Sequence, residues 1–197
     1  MTAPIDLWAD LPIDGETAQA LSGGMLLADS DDSAASVRRI LSWVRTYCGW
    51  HVIGERAETL IVDGTGASTV HLPTLRVVDV AEVSEEWWTG QGVETSLLPA
   101  TGYSWSVHGV VEKRSGVWTR ERRGVKVSLT HGFDAADDLL GVVVHAAVRH
   151  TSAPDGNALA RVGDISYQSS GAGAAGGSAF LQSEYAVLDH YRLNPGV

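Results

Sequence analysis

Apolar positions in this chain change their period twice, and each change marks a new kind of element. Val37, Ile40, Leu41, Val44 and Cys48 recur at steps of three and four, the spacing of one helix face. Ser30-Asp31-Asp32-Ser33 stands before them with side chains suited to capping exposed backbone N–H groups, and Gly49 follows as a natural stop. The spacing predicts a helix over 30–49. Ahead of it, residues 1–29 show no sustained period and read as an arm in which Leu7, Trp8 and Leu11 can dock.

From Thr59 to His131 the pattern becomes β. Leu60-Ile61-Val62 and Val70-His71-Leu72 flank Asp63-Gly64-Thr65-Gly66, which predicts a hairpin. Further strands are expected at Leu75–Val80, Tyr103–Val107, Val110–Arg114 and Val125–Leu129, with turns at Gly109 and Ser115-Gly116. Val125, Val127 and Leu129 alternate with Lys126, Ser128 and Thr130, giving the last strand one dry and one wet face.

The helical period returns after Phe133-Asp134. Asp134 is the expected cap, Leu139, Leu140, Val143, Val144, Ala147 and Val148 form a wide apolar face, and Arg149 and His150 close the last turn. This predicts a helix over 134–151. Arg161 to Gln168 reads as a short strand, Gly171–Gly177 as a hinge, and Ser178–Tyr191 as a final helix. Strands bunched between helices, rather than alternating with them, indicate an α+β fold. The helices are expected to pack as a small bundle, with an antiparallel β block inserted between the first and second long ones.

The length of 197 residues fits one domain with an arm, large enough to bury a core without metal or disulfide. The single cysteine, Cys48, lies on the first helix's apolar stripe and is read as a buried thiol. No secretory leader is expected, since residues 1–14 carry acids and no Lys or Arg. The longest apolar run, Leu139–Val148, is too short to span a bilayer, so no membrane partner is expected. The formal net charge of −10 disfavours a dedicated nucleic-acid reader. Charge is unevenly placed, however. Residues 1–32 hold seven acids and no Lys or Arg, whereas residues 113–126 hold six of the fourteen basic side chains.

Several patterns that could carry chemistry read as structure instead. Gly171-Ala172-Gly173-Ala174-Ala175-Gly176 has dinucleotide-loop spacing, but too little chain follows for the second strand such a fold needs. Asp29-Ser30-Asp31-Asp32-Ser33 opens like a calcium loop, yet Ala34 and Ile40 stand where that loop requires Gly and Glu. His145 and His150 are five apart, on diverging helix faces, so no metal site is expected. There is no Gly-x-Ser-x-Gly elbow. Glu85-Glu86 before Trp87-Trp88 reads as an exposed acidic turn, not a pair of carboxylates facing across a cleft. No catalytic residue and no cofactor are expected.

The basic segment Lys113–Lys126, with Trp118 in its middle, is the most informative feature. Nucleic-acid contact, a protein interface and a solvated hairpin are all compatible with it. On an acidic chain, pairing with acidic segments of a neighbour, including a copy of itself, is favoured.

Five segments together resemble the head-to-tail adaptor (connector) proteins of tailed bacteriophages, especially those of actinobacteria. They are Arg45-Thr46-Tyr47-Cys48-Gly49-Trp50-His51 at the end of the first helix, Leu72-Pro73-Thr74-Leu75-Arg76-Val77-Val78, and Tyr103-Ser104-Trp105 with Gly109-Val110-Val111. The others are Val127–Asp134 and the set Leu181, Glu184, Leu188, Tyr191 and Arg192, so the likeness runs from about Ser33 to Leu193. The resemblance implies an adaptor domain over 30–197, whereas the acidic arm over 1–29 and the length of the glycine hinge lie outside what it matches. It also implies a non-enzymatic virion protein of the head–tail neck, assembled in the host cytoplasm. Copies would form a ring, usually of twelve, between the portal and the next tail-side neck protein, with double-stranded DNA passing through the channel without sequence-specific binding. Under that reading Lys113, Arg114, Trp118, Arg120, Arg122, Arg123 and Lys126, with Trp8, Tyr191 and Arg192, are the expected contact residues. The alternatives are another neck protein, such as a stopper or tail terminator, or a small-ligand-binding domain using the Trp87-Trp88 region.

Overall fold

The structure, a computed structural model, describes residues 6–152, 158–162, 165–169 and 180–193. The fold is α+β. The chain forms two compact units, one from residues 1–48 and 136–191, the other from residues 49–135 and 192–197.

The first unit is built on helices α1 (Gly15–Leu21), α2 (Asp31–Cys48), α3 (Asp137–Ser152) and α4 (Gln182–His190). In α2 Val37, Ile40, Val44 and Cys48 of the expected face are buried and Leu41 is half-buried, while Ser33, Ala34 and Ser36 extend the buried side at the helix start. Helix α2 packs against α3, whose Leu139, Val143, Val144 and Ala147 are shut off from solvent. Cys48 is buried as its place on the stripe implied, with its Sγ 3.7 Å from Leu188 O. The start of α4 is fixed by Glu184, whose Oε2 accepts from Leu181 N at 2.8 Å and from Arg149 Nη2 of α3 at 2.6 Å.

Within residues 6–29, read as an arm with docking side chains, the structure has the short helix α1, which the lack of period did not suggest. Asp14 caps α1 by accepting from Thr17 N at 2.8 Å. Trp8, Ile13, Ala18 and Leu26 are buried, and Trp8 Nε1 donates to Ala28 O at 2.7 Å. Scattered anchors rather than a repeating face hold this segment, so periodicity could not register it. Helix α3 begins three residues later than the Asp134 cap implied, because Leu140 N takes Ala136 O and the first turn opens at Asp137. The single strand expected near 161–168 is instead a two-stranded antiparallel pair, Ala158–Val162 with Ile165–Ser169. The hinge at 171–177 lies outside the described residues, as do Ser178 and Ala179 of the expected last helix.

The second unit is a sandwich of two antiparallel sheets. In chain order its strands are β1 (Arg56–Val62), β2 (Thr69–His71), β3 (Val77–Trp88), β4 (Val93–Leu98), β5 (Tyr103–Trp105), β6 (Val110–Lys113) and β7 (Val125–His131). Sheet order is β1-β7-β3-β4 and β2-β6-β5. Val70, Tyr103 and Val111 from the smaller sheet meet Val77, Val83, Val125, Val127 and Leu129 from the larger, around Trp118. In β7 the dry and wet faces fall where the alternation put them.

The expected hairpin between β1 and β2 does not form. β1 pairs with β7 and β2 with β6, in different sheets. The loop between them is occupied by a different partner, the 118–123 segment. Gly64 N donates to Glu121 O, Gly66 N to Thr119 O, and Trp118 N to Ala67 O. A Cβ at Gly64 would lie 2.1 Å from Thr119 O, so Gly64 serves close backbone approach, while Gly66 supplies a left-handed φ of 68°.

Candidate functional site

The basic segment is shaped from beneath. Trp118 is 1% exposed and forms part of the sandwich core, with Lys113 Nζ 5.3 Å from its ring centroid. Glu85, buried on β3, pairs with Lys113 of β6 and accepts from Thr119 N at 2.9 Å. Arg123 N donates to Asp63 Oδ1 at 2.7 Å and its backbone takes a left-handed φ of 57°. Anchored at Trp118, at Thr119 and at Arg123, the intervening turn holds Arg120, Arg122 and Arg123 outward, all exposed.

The residues read as an acidic turn belong to strand. Glu85, Glu86, Trp87 and Trp88 continue β3 and pair with β4, in the register Glu85↔Ser96, Glu86↔Thr95, Trp87↔Glu94 and Trp88↔Val93. Glu85 survives burial because Lys113 and Thr119 N satisfy it. Glu86 lies on the other face, where its hydrogen bond to Lys126 and that ammonium's charge hold its carboxyl below the usual range.

Side chains on the outer face of the larger sheet complete the site. The register sets Ile61 beside Lys126, Lys126 beside Ser84, and Ser84 beside Leu97, with Trp88 and Val93 paired at one end. Ile61, Trp88, Val93 and Leu97 are 40%, 63%, 63% and 62% exposed. Ile61, Trp88 and Val93, with Arg122 and Arg123, border an open groove of about 350 Å³ that also takes in Glu86, Glu121 and Lys126. Apolar walls beside exposed guanidinium groups suit binding an acidic, partly apolar surface.

Of the expected contact residues, Arg120, Arg122, Arg123 and Lys126 gather at this end of the sheet, whereas Lys113 and Trp118 are turned inward. Arg114 is exposed and donates from Nε to Tyr103 O at 3.2 Å. Trp8 is buried in the helical unit and is an anchor, not a free contact. Tyr191 is half-buried, its hydroxyl donating to Asp138 Oδ1 at 2.7 Å, and Arg192 is exposed. Sequence reasoning missed Val93 and Leu97, because β4 (Val-Glu-Thr-Ser-Leu-Leu) has no buried position to reveal it as a strand.

Among the described residues no three His, Cys, Asp or Glu side chains gather as a metal site would require. His131 is packed in the β unit with Nε2 2.7 Å from Glu58 Oε1, His150 packs on Trp43, and His145 is exposed. No described helix is long and apolar enough to cross a membrane.

No protein-family model matches this sequence, and no curated protein matches it. Solved structures do. One chain in the neck of an empty gene transfer agent particle, computed with C6 symmetry, superposes with a TM-score of 0.62. Its identity is 15%, over all of this chain and 95% of the other. A chain in the neck of the native particle, computed with C12 symmetry, gives 0.57 at 16% identity over 93% of this chain and 92% of that one. A chain of the native gene transfer agent virion gives 0.57 at 14%, over 94% of each. At these identities the likeness is one of fold, and it extends over nearly the whole length on both sides.

Proposed function

We propose that this chain is a structural protein of the neck of a phage-like virion, where copies form a ring that joins the portal to the tail and surrounds the DNA channel. The observation that carries this reading is the end-to-end likeness of fold to chains in neck assemblies computed with C6 and C12 symmetry. A ring of identical copies repeats one heterologous contact, which calls for two different, complementary surfaces on each copy. An acidic stretch at residues 1–32 and an exposed arginine turn at 120–123 are such a pair. The protein acts without catalysis or cofactor, contacts the portal and a tail-side neck protein, and lets double-stranded DNA pass. A net charge of −10 per copy suits that last task, because a channel wall that bound phosphate tightly would hold the DNA instead of passing it. Arg120, Arg122 and Arg123 carry subunit or portal contacts in this reading.

The test is solution mass by light scattering, alone and after mixing with the portal from the same particle. A ring of twelve 20.9 kDa copies would weigh about 250 kDa, seen free or added to the portal. A monomer that gains mass only on the portal would mean that the portal templates assembly. A chain that stays monomeric and ignores the portal overturns the reading.

A further inference from the structure

Two exposed patches of this chain have complementary chemistry and lie in different compact units. The groove beside Trp88 is one. Within it Lys126 is already paired with Glu86, and Glu121 is its other acid. Arg122 and Arg123 have no ion-pair partner among the described residues. Their neighbours Trp88 and Val93 each leave more than half their surface in solvent.

The other patch is the connection from α1 into α2. Met25 and Leu27 are 62% and 50% exposed, and Asp29, Asp31 and Asp32 are exposed directly after them. This loop is preformed rather than loose. Leu26 is fully buried beneath it, Leu26 N donates to Ser22 Oγ at 2.9 Å, and Leu27 N donates to Ser33 Oγ at 3.0 Å. Ala28 N donates to Gln19 Oε1 at 3.2 Å. Asp29 and Asp32 make no ion pair among the described residues, and no Lys or Arg precedes Arg38.

We propose that the groove beside Trp88 receives the 25–32 loop of a neighbouring copy of this chain, Asp29 and Asp32 meeting Arg122 and Arg123 while Met25 and Leu27 cover Trp88 and Val93. This inference rests on the ring reading and names the contact that repeats around the ring. Charge complementarity selects the occupant. The groove offers unpaired guanidinium groups between apolar walls, and the loop offers unpaired carboxylates beside apolar side chains. Duplex DNA would supply the anionic charge but nothing to cover Val93 and Ile61. Both backbones are anchored beforehand, the turn at Thr119 and Arg123 and the loop at Leu26, Leu27 and Ala28, so docking orders side chains and not main chain. Because groove and loop are different surfaces, the contact is heterologous and continues from copy to copy.

The experiment reverses the charge on each side separately in the full-length chain. R122E/R123D makes the groove acidic, with Asp chosen because it tolerates the left-handed φ at 123. D29K/D32K makes the loop basic. Each variant alone is expected to stay monomeric where the wild type associates, free or on the portal. An equimolar mixture is expected to recover the wild-type mass, since each variant's altered surface then finds its complement on the other. Either variant reaching wild-type mass alone overturns the proposal, as does a mixture that stays monomeric while both components keep their far-ultraviolet circular dichroism. If R122E/R123D self-associates normally but loses binding to the portal or to duplex DNA, the groove serves another occupant and the proposal fails. A wild type that never associates removes the ring reading and this contact together, whereas a wild type that associates alongside its variants removes only the contact. Should a reversal variant fold poorly, L27C and V93C provide the second measurement. Mixed under oxidation, they are expected to form a disulfide-linked dimer of the two chains within the assembly, and its absence from an assembled mixture counts against the proposal.

Discussion

Glu85 holds together elements that lie far apart in sequence. Its carboxylate takes Lys113 of the opposite sheet and the backbone amide of Thr119, so one side chain ties the two sheets and the root of the arginine turn. Removing it leaves a mostly buried ammonium without its partner and a backbone donor without an acceptor. Glu85→Ala should therefore cost about 2–4 kcal/mol, and Glu85→Gln, which keeps an acceptor for Thr119, should cost less. Urea unfolding checks both, and an Ala variant as stable as the wild type would remove Glu85 from this role. Tyr191 gives a prediction in pH. Burial first, then its hydrogen bond to Asp138 and the charges of Asp138 and Asp137, pushes its phenol up to about 12. The unfolded phenol ionises near 10. A group whose pKa is raised on folding contributes its full stabilisation below the unfolded value and loses it as pH climbs toward the folded one. Stability should thus fall between about pH 10 and 12, and Tyr191→Phe should fall less steeply over that window. Thermal melts of the two proteins across it decide the matter.

At the scale of elements, what the sequence reveals depends on whether a segment's partners are periodic. Helix α2 and strand β7 each bury one face continuously, so their apolar positions alone mark them. Strand β3 is harder to read, because Glu85 is satisfied by Lys113, 28 residues later, and a buried acid without that knowledge looks like a turn. Strand β4 buries nothing and gives no alternation. Pairing was less legible than strand content. Leu60–Val62 and Val70–Leu72 both contribute strand, yet the loop between them is filled by Thr119 and Glu121, a contact no local pattern announces. The arginine turn was visible as charge, whereas the groove beside it depends on a register that only the fold supplies. Gly132 shows how tightly such non-local joins are set. Its φ is +115°, and a Cβ there would lie 2.2 Å from Gly54 O, where the chain entering β1 runs beside the end of β7. Gly132→Ala should therefore destabilise the β unit by more than about 1 kcal/mol, with hydrogen-exchange protection lost first around β1 and β7. A neutral substitution would mean that the two segments separate at little cost.

At the scale of the whole molecule, the sign of the net charge sets an expectation that the arginine turn alone would reverse. Each copy carries −10, so copies brought together in a ring repel one another over distances longer than any single contact. In the proposed contact, the attraction between guanidinium and carboxylate groups would act at a few ångströms, partly shielded from solvent by the apolar side chains beside it. Salt separates the two effects, because the Debye length shrinks from about 30 Å at 0.01 M to about 8 Å at 0.15 M. Long-range repulsion is screened first, while the close pairs lose less. Self-association should therefore strengthen as salt rises from about 0.01 to 0.15 M and weaken only at higher salt, where the charge pairs themselves are screened. Binding driven by the arginines holding nucleic-acid phosphate would behave oppositely over the first interval, falling steadily as released counterions become less favourable. Sedimentation velocity of the full-length chain across that range distinguishes them. Association that declines monotonically from the lowest salt would show that net repulsion does not govern the assembly, and that attraction between charged patches dominates at every distance.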